Sequence, residues 1–582
     1  MSANGLDSFA FHRHEQADVA DAIRPLAPDQ PPDEERPLAG LDPEAVARRY
    51  LGEAFASQAL PTFNKPDMGG KPAEFRTLGT EVVPLTGTKV VRFRQHYGRI
   101  PIYGSLVTVE LDEDNELLAL NSALGTPPAD LDAVATLSPA QALDAIRRRA
   151  GPDAKIQGCL PRVVFYFDEL AQRWHLAYLT ENVTRSQATG ETGDPRSPGL
   201  FDYLVDAHGG ELIAELPRMQ SIEAPGVERP QELLRRRRRP SLLEQESKDG
   251  LGRPRRFRVK KVGDALHLAD DDLNVHTYDY GFHDLERQDA ELPGSYVVNP
   301  PNPWLDAAVS AHANAVDVAL FLRKVLRREG LDNRGGRIVS SVNCTYGARA
   351  GSKEWHNAAW VGTQMVYGQR VTGGGGLRSY AVSKDVVAHE IVHGLTDHTA
   401  RLEYAGMSGA LNESYSDIMG IIVSNLENPD VGTWNWEMGE DLEDTGIPIR
   451  DLSQPGKYEQ PEHMKDYVFL PVGPRTDWGG VHVNSGIHNK AAYHLLTSKD
   501  ANGNFVFDPR EVAALFYLAL TQYLSRTSKF IDSRRGMELA ARTLFRQDPR
   551  KQEKLAALAG AFEAVGITSN LGIDFEPNRL SS

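Results

Sequence analysis

Hydrophobic and polar positions along this chain change their period, and the changes mark out its parts. Between residues 80 and 125 apolar and polar side chains alternate, as half-buried strands require, and the pattern predicts strands at 89–97, 100–111 and 116–120. A short helix precedes them, opened by Asp42 with Pro43 in its first turn. Ser138 and Pro139 open another helix running to Arg149, and strands follow at 162–168, 174–179 and 201–206. After an early strand at 277–280, the period lengthens. From Asp306 to about Arg328, Val309, Ala313, Val316, Leu320, Leu322 and Leu326 recur at helical spacing, a stripe that predicts core. Helices dominate from there. Ser383 caps a mostly apolar one through Leu395, residues 409–420 form a second, and 509–564 are helix-rich. The glycines at 373–376 predict a mobile loop before the first of these helices.

Chemistry enters where polar residues interrupt the apolar helices. Residues 389–393 read His-Glu-Ile-Val-His. Two histidines four apart lie on one helix face, so both imidazoles can reach one ion. Glu390, between them, is placed to activate water on the metal rather than to bind the metal. The same pentapeptide could decorate a solvated helix. Its apolar flanks, Val386, Val387, Ile391, Val392 and Leu395, argue for burial instead, and buried imidazoles and carboxylates need partners. Glu413 and Asp417 repeat the logic on the second helix. Glu413 completes a set of two histidines and one carboxylate with a fourth position open, as catalytic zinc requires. Asp417 suits a place behind a ligating histidine, accepting its far N–H. Further on, Gly479 and Gly480 form a turn able to present His482 at a cleft edge, with Asp477 close enough to orient and charge it. A cationic histidine there would stabilise the oxyanion of amide hydrolysis, although such a residue alone is more often plain surface.

Taken together, residues 389–397, Tyr404, 409–417 and 479–489 resemble the thermolysin family of zinc metallopeptidases. Nineteen residues separate His393 from Glu413, which is that family's spacing. The resemblance extends through Asn357-Ala358-Ala359-Trp360, residues 364–368 and Arg450, and covers roughly 246–570. It implies His389, His393 and Glu413 as zinc ligands and Glu390 as general base. It implies Tyr404 and His482 as stabilisers of the tetrahedral intermediate, Asp477 as the carboxylate paired with His482, and Asn412 and Asp417 as supports of the ligating histidines. Asn357, Ala358, Trp360 and Arg450 fall on its substrate-binding positions. Cleavage would precede bulky apolar residues, with Val386 and Ile449 at pocket-lining positions and Tyr380 where a smaller aliphatic is usual. Asp385, Glu437 and Glu440 match calcium-binding carboxylates of the family. Ser424 and Asn435 stand where two further acids are usual, which leaves room for one calcium rather than a pair.

Upstream, Arg92-Phe93-Arg94-Gln95 and the Pro101-Ile102-Tyr103-Gly104 stretch resemble the fungalysin/thermolysin propeptide domain, and the helix-then-strands order after residue 138 is similar to a PepSY-type propeptide domain. These likenesses imply a zymogen whose own propeptide assists folding and blocks the cleft until cut. The expected organisation is a disordered segment at 1–40, then propeptide modules at 41–130 and 131–220. An Arg-rich linker spans 221–245, and the peptidase halves fall at 246–395 and 396–575. The fold expected is α+β, with zinc in a cleft between a β-rich half and a helical half.

Composition narrows the function classes. A net charge of -16 disfavours nucleic acid as a partner, and no apolar run reaches the length of a membrane span. Cys159 and Cys344 fall in different expected domains, which argues against a disulfide framework. The family resemblance implies secretion and a monomer acting on polypeptides. The start of the chain lacks a basic segment followed by an apolar core, so retention in the cell or an unusual export route stays open. Two other functions stay open as well. A non-catalytic binding or inhibitory protein would need a broken site, and every ligand and base position is filled. A zinc aminopeptidase would need a group anchoring a free amino terminus, and no motif for one is present. Five arginines at 235–239 read as a flexible linker or a processing target.

Overall fold

The computed structural model describes residues 5–25, 38–151, 154, 156, 159–184, 200–218, 220–222, 243–285, 291–347 and 351–568. The arginine run and most of the proline-rich segment lie outside these residues. The amino-terminal module is an antiparallel sheet ordered Leu6–His12, Leu117–Gly125, Leu106–Leu111, Lys89–Tyr97 and Glu74–Val82. Asp42 accepts from Ala45 N to cap the helix Pro43–Ala56, whose Val46, Tyr50, Leu51 and Ala54 pack on Val91, Phe93, Val107 and Val109 of the sheet. The segment 1–40, expected to be disordered, instead supplies an edge strand and the helix Ala17–Ala22, with Phe11, Ile23 and Leu38 buried. Its acidic composition hid the few apolar residues that pin it down.

Leu106–Leu111 is buried at all six positions, although Thr108 and Glu110 alternate with apolar residues. Its second face is covered by the helical half of the peptidase. Thr108 donates to the Gln522 carbonyl at 2.7 Å, Arg92 to the Thr521 carbonyl at 2.6 Å, and Tyr523 donates to Glu110 at 2.6 Å.

The second module places the helix Pro139–Ala150, closed by a Ser138–Gln141 capping box, on a four-stranded antiparallel sheet. The sheet runs Leu212–Pro217, Leu200–Asp206, Arg173–Thr184, Arg162–Asp168. Phe201 and Val183 pack with Tyr404, Trp478 and Val481. This module therefore sits on the rim of the expected cleft.

The peptidase begins with a sheet ordered Trp355–Trp360, Met365–Val371, Ile338–Val342, Val275–Asp279 and Ala269–Asp270. Gln220–Ser221, expected at the end of a propeptide module and the start of a linker, pairs antiparallel with Trp360 and Ala359 and adds one more strand to the edge of this sheet. The apolar stripe after Asp306 forms the helix Asp306–Lys324, which ends a turn earlier than the pattern predicts and is buried in the main core. The glycines at 373–376 close a tight hairpin, with Thr372 N donating to the Gly376 carbonyl, where a mobile loop was expected. Lys384–Asp397, Gly406–Asn425 and Asp477–Leu496 form the heart of the helical half, backed by Pro509–Leu518, Phe530–Leu544 and Lys551–Glu563. Both cysteines are free thiols.

Candidate active site

The helix Lys384–Asp397 is buried over nearly its whole length, so its polar side chains must find partners inside the protein. Ser383 precedes it as expected but does not cap it directly. Its hydroxyl donates to Asp385, whose carboxylate accepts from Val386 N at 2.6 Å and from Gly439 N at 3.1 Å. The adjoining helix Gly406–Asn425 lies alongside and turns Asn412, Glu413, Ser416 and Asp417 toward it, all fully buried.

Between the two helices, His389, His393 and Glu413 converge, their ligand atoms all within 4.8 Å of one another. The histidine Nε2 atoms are 2.9 Å apart, and they lie 3.4 and 3.3 Å from the two Glu413 oxygens. The far nitrogens face acceptors. His393 Nδ1 is 3.0 Å from Asn412 Oδ1, and His389 Nδ1 is 2.9 Å from Asp417 Oδ1 in ion-pair contact rather than an aligned hydrogen bond. Protons held at those positions leave both Nε2 lone pairs aimed at each other and at a carboxylate. Such an arrangement is repulsive unless a cation stands among the three groups, so the residues present fit zinc. Among the described residues no other cluster of His, Cys, Asp and Glu converges in this way.

Glu390 lies on the same helix, and burial pushes its carboxyl up to about 8 against the pull of His393. Burial also works against charge on Glu413, yet His482, His393 and His389 hold its carboxyl well below the ordinary range. The segment before His482 passes through four successive left-handed residues, Asp477 to Gly480, before regular helix resumes. At Gly479 a Cβ would sit 3.0 Å from the Gly406 backbone, so the turn needs glycine there. The turn folds Asp477 back onto His482, with Nδ1 2.5 Å from Asp477 Oδ1 and the His482 backbone N–H donating to Oδ2 at 2.7 Å. Burial opposes the imidazolium, but Asp477 and Glu413 outweigh it and raise His482 to about 10. Tyr404 donates to Glu413 and sits 3.2 Å from His482 Nε2. Arg450 donates to Asp417 at 2.5 Å and to Glu413 at 3.4 Å.

Five of the expected residues have other engagements. Asn357 is buried with its Oδ1 accepting from Ala358 N. Trp360 turns its ring into the core against Gly394 and donates Nε1–H to Asp397 at 2.9 Å, so only its backbone borders the cleft. Asp385, Glu437 and Glu440 do not converge as His389, His393 and Glu413 do; Asp385 accepts from Ser383, Val386 N and Gly439 N, and Glu440 accepts from Asn435 at 2.6 Å. Sequence reasoning missed Ser416, 3.1 Å from His393 Nδ1, and Asn489, which donates to Asp417 at 2.8 Å. It also missed Ile222, whose backbone enters the cleft from the propeptide side. Its amide donates to Glu390 Oε1 at 3.1 Å and to the Ala358 carbonyl at 3.3 Å, and its carbonyl accepts from Arg450 at 2.7 Å. The helical period flags Asn489, but nothing in the local sequence flags Ile222.

Comparison with known proteins points the same way. Residues 244–397 match the thermolysin metallopeptidase catalytic domain, 400–567 its alpha-helical domain, and 73–124 the fungalysin/thermolysin propeptide motif. The chain is 31% identical over 514 residues to bacillolysin of Bacillus amyloliquefaciens, covering 86% of each chain. It is 31% identical over 570 residues to thermolysin of Alicyclobacillus acidocaldarius subsp. acidocaldarius, covering 91% of each. The solved precursor of protealysin from Serratia proteamaculans matches at 29% identity and a TM-score of 0.42, over 50% of this chain and 87% of that one. The chain belongs to the thermolysin family of zinc metalloendopeptidases, and it is a precursor that carries its propeptide ahead of the peptidase domain.

Proposed function

We propose that this chain hydrolyses internal peptide bonds on the amino side of bulky apolar residues, with Glu390 as general base. The observation that carries this reading is the buried three-ligand cluster with the Glu390 carboxyl beside it on the same helix. Bound at the cluster, zinc would supply a Lewis acid that makes water a far stronger acid near neutral pH. Glu390 takes the proton of the attacking water and delivers it to the leaving nitrogen. His482, kept cationic by Asp477, and the Tyr404 hydroxyl donate to the carbonyl oxygen as it gains charge. Asn412 and Asp417 fix the ligating rings. Arg450 grips a substrate carbonyl, and the backbone of 357–360 offers an edge along which an extended peptide pairs.

Because the whole site comes from one chain, a monomer suffices. Action outside the cell rests on the family resemblance alone; among the described residues no helix is long and apolar enough to cross a membrane. At most one calcium belongs to this reading. Burial and the neighbouring Asp385, Asp441 and Glu437 push the Glu440 carboxyl up to about 7, crowding that a cation would relieve. Millimolar calcium should then raise the melting temperature of the protein and leave Glu440→Gln unchanged; no rise in the parent protein rejects the calcium.

Peptides blocked at both ends test the main reading. The mature enzyme should cut them internally, and Glu390→Ala should lose about two to four orders of magnitude in kcat while retaining zinc by elemental analysis. Cleavage confined to free amino termini would instead identify an aminopeptidase.

A further inference from the structure

We propose that the peptide bond between Ser221 and Ile222 is the one this chain cuts in itself; the inference rests on Glu390 being the base. Four observations place that bond in register with the catalytic groups. Gln220 and Ser221 pair antiparallel with Trp360 and Ala359, which holds the chain extended along the cleft edge as a substrate must be. The Ile222 nitrogen, the amine that would leave, donates to Glu390 Oε1 at 3.1 Å, so the group that would protonate it already touches it. On the far side of that nitrogen the Ile222 carbonyl accepts from Arg450, which Asp417 and Glu413 hold in place. The Ile222 side chain is 1% exposed, packed in the main core of the peptidase with the residues of the zinc helix. A bulky apolar residue therefore fills the socket on the amine side of the bond.

A fifth contact locks the register. Arg218, three residues before Ser221, is buried and pairs with Asp397 at 2.9 Å, at the end of the zinc helix. A slip by one residue would put Ser221 into the apolar socket and pull the buried Arg218 away from the buried Asp397, breaking a close ion pair. A strand serving only as a plug has no need to rest its amide on the base.

The step balances without any partner beyond water. The water oxygen bonds to the Ser221 carbonyl carbon, and the bond from that carbon to the Ile222 nitrogen breaks. Glu390 carries a water proton to the nitrogen. The products are a carboxylate at Ser221 and an amino terminus at Ile222, with nothing oxidised or reduced. The cut falls well before the arginines at 235–239, which then remain on the mature enzyme as part of an amino-terminal tail.

The purified full chain, loaded with zinc and incubated at several concentrations, tests this. Mass spectrometry should find one fragment ending at Ser221 and one beginning at Ile222, formed at a rate independent of concentration. Ile222→Gly should slow that cut at least tenfold. In the metal-free chain, which keeps Glu390 but cannot cut without zinc, the Ile222 amide should exchange with solvent deuterium about a hundredfold slower than an unprotected amide, and Ile222→Gly should release the neighbouring amides. A first cut at any other bond, the arginine run included, overturns the proposal, as does free exchange at Ile222. If the chain cuts elsewhere while the mature enzyme still hydrolyses blocked peptides, this inference fails and the proposed function stands. If blocked peptides also survive, the proposed function fails with it.

Discussion

His389 and His393 point their Nε2 atoms at each other across 2.9 Å, and their far nitrogens face Asp417 and Asn412. Each ring is thus fixed by a group behind it, and His482 is fixed the same way by Asp477. This makes Asp477 a positioning residue with a measurable signature. Removing its charge by Asp477→Asn lowers the pKa of His482, because its carboxylate is the largest of the influences that raise it. Activity that depends on the imidazolium is lost as pH rises through that pKa. The alkaline limb of kcat/KM should therefore move to lower pH in the variant, with a loss of about tenfold or more near neutrality. An unchanged pH profile would deny His482 the cationic role. At this scale most of the site was legible in the sequence. Helical spacing alone puts His389 with His393 and Glu413 with Asp417. Ile222 was not legible, because its place depends on a strand added across more than a hundred residues of sequence.

Among the elements, the helix Lys384–Asp397 carries His389 and His393 of the three-residue cluster and Glu390 while packed on all sides. Gly394, one residue after His393, is what allows the Trp360 ring to lie against it. A Cβ there would meet that ring at 3.0 Å and Leu331 at 2.9 Å. Gly394→Ala should cost about 1–3 kcal/mol of stability, read by thermal unfolding in the Glu390→Ala background, since neither the indole nor the helix has room to shift. A neutral result would mean that Trp360 is not clamped by Asp397. The apolar run of this helix was plain from the sequence, whereas its capping was not. Ser383 holds the cap position as its residue type suggests, but its hydroxyl turns to Asp385 rather than to a helix N–H, and Asp385 accepts from the adjacent Val386 N. Leu106–Leu111 shows the opposite limit. Its alternation reads as one wet face, and only the contact with residues 521–523 explains why that face is dry.

Over the whole molecule, the propeptide grips the peptidase through charge as much as through apolar contact. Glu181 takes both Arg401 and Arg526, Asp202 faces Arg526, and Arg218 pairs with Asp397. Beside them Glu403 is covered by the propeptide's Tyr103, and burial, with Glu169 adding to it, raises its carboxyl to about 7 from the usual 4.5. A group that binds its proton more tightly when covered favours the closed precursor most below the free value. That contribution is fully present below about pH 4.5, falls as pH rises through 7, and stays flat above. Glu181, which is held at about 2, changes only in more acid solution. Glu403→Gln should therefore leave the precursor's stability nearly unchanged at pH 4 and raise it by up to about 3 kcal/mol at pH 8. Equal effects at both pH values would contradict the assignment. The propeptide motif and the two-part peptidase were foreseeable from motif order. The anchoring of residues 6–23 was not, because a few apolar residues in an acidic stretch acquire meaning only against the sheet they complete.

The peptidase sheet ends on Trp355–Trp360, and in the precursor that edge is finished by Gln220–Ser221. Once the strand leaves, a row of backbone donors and acceptors stands without neighbours. Whatever replaces it must arrive straight, with its own amides uncommitted, for at least three residues. A segment wound in a helix or already woven into another sheet cannot comply, whatever its side chains. The mature enzyme should then choose its targets by shape before sequence, sparing well-folded proteins and cutting loose or frayed ones, and its own tether is the first chain to meet that condition.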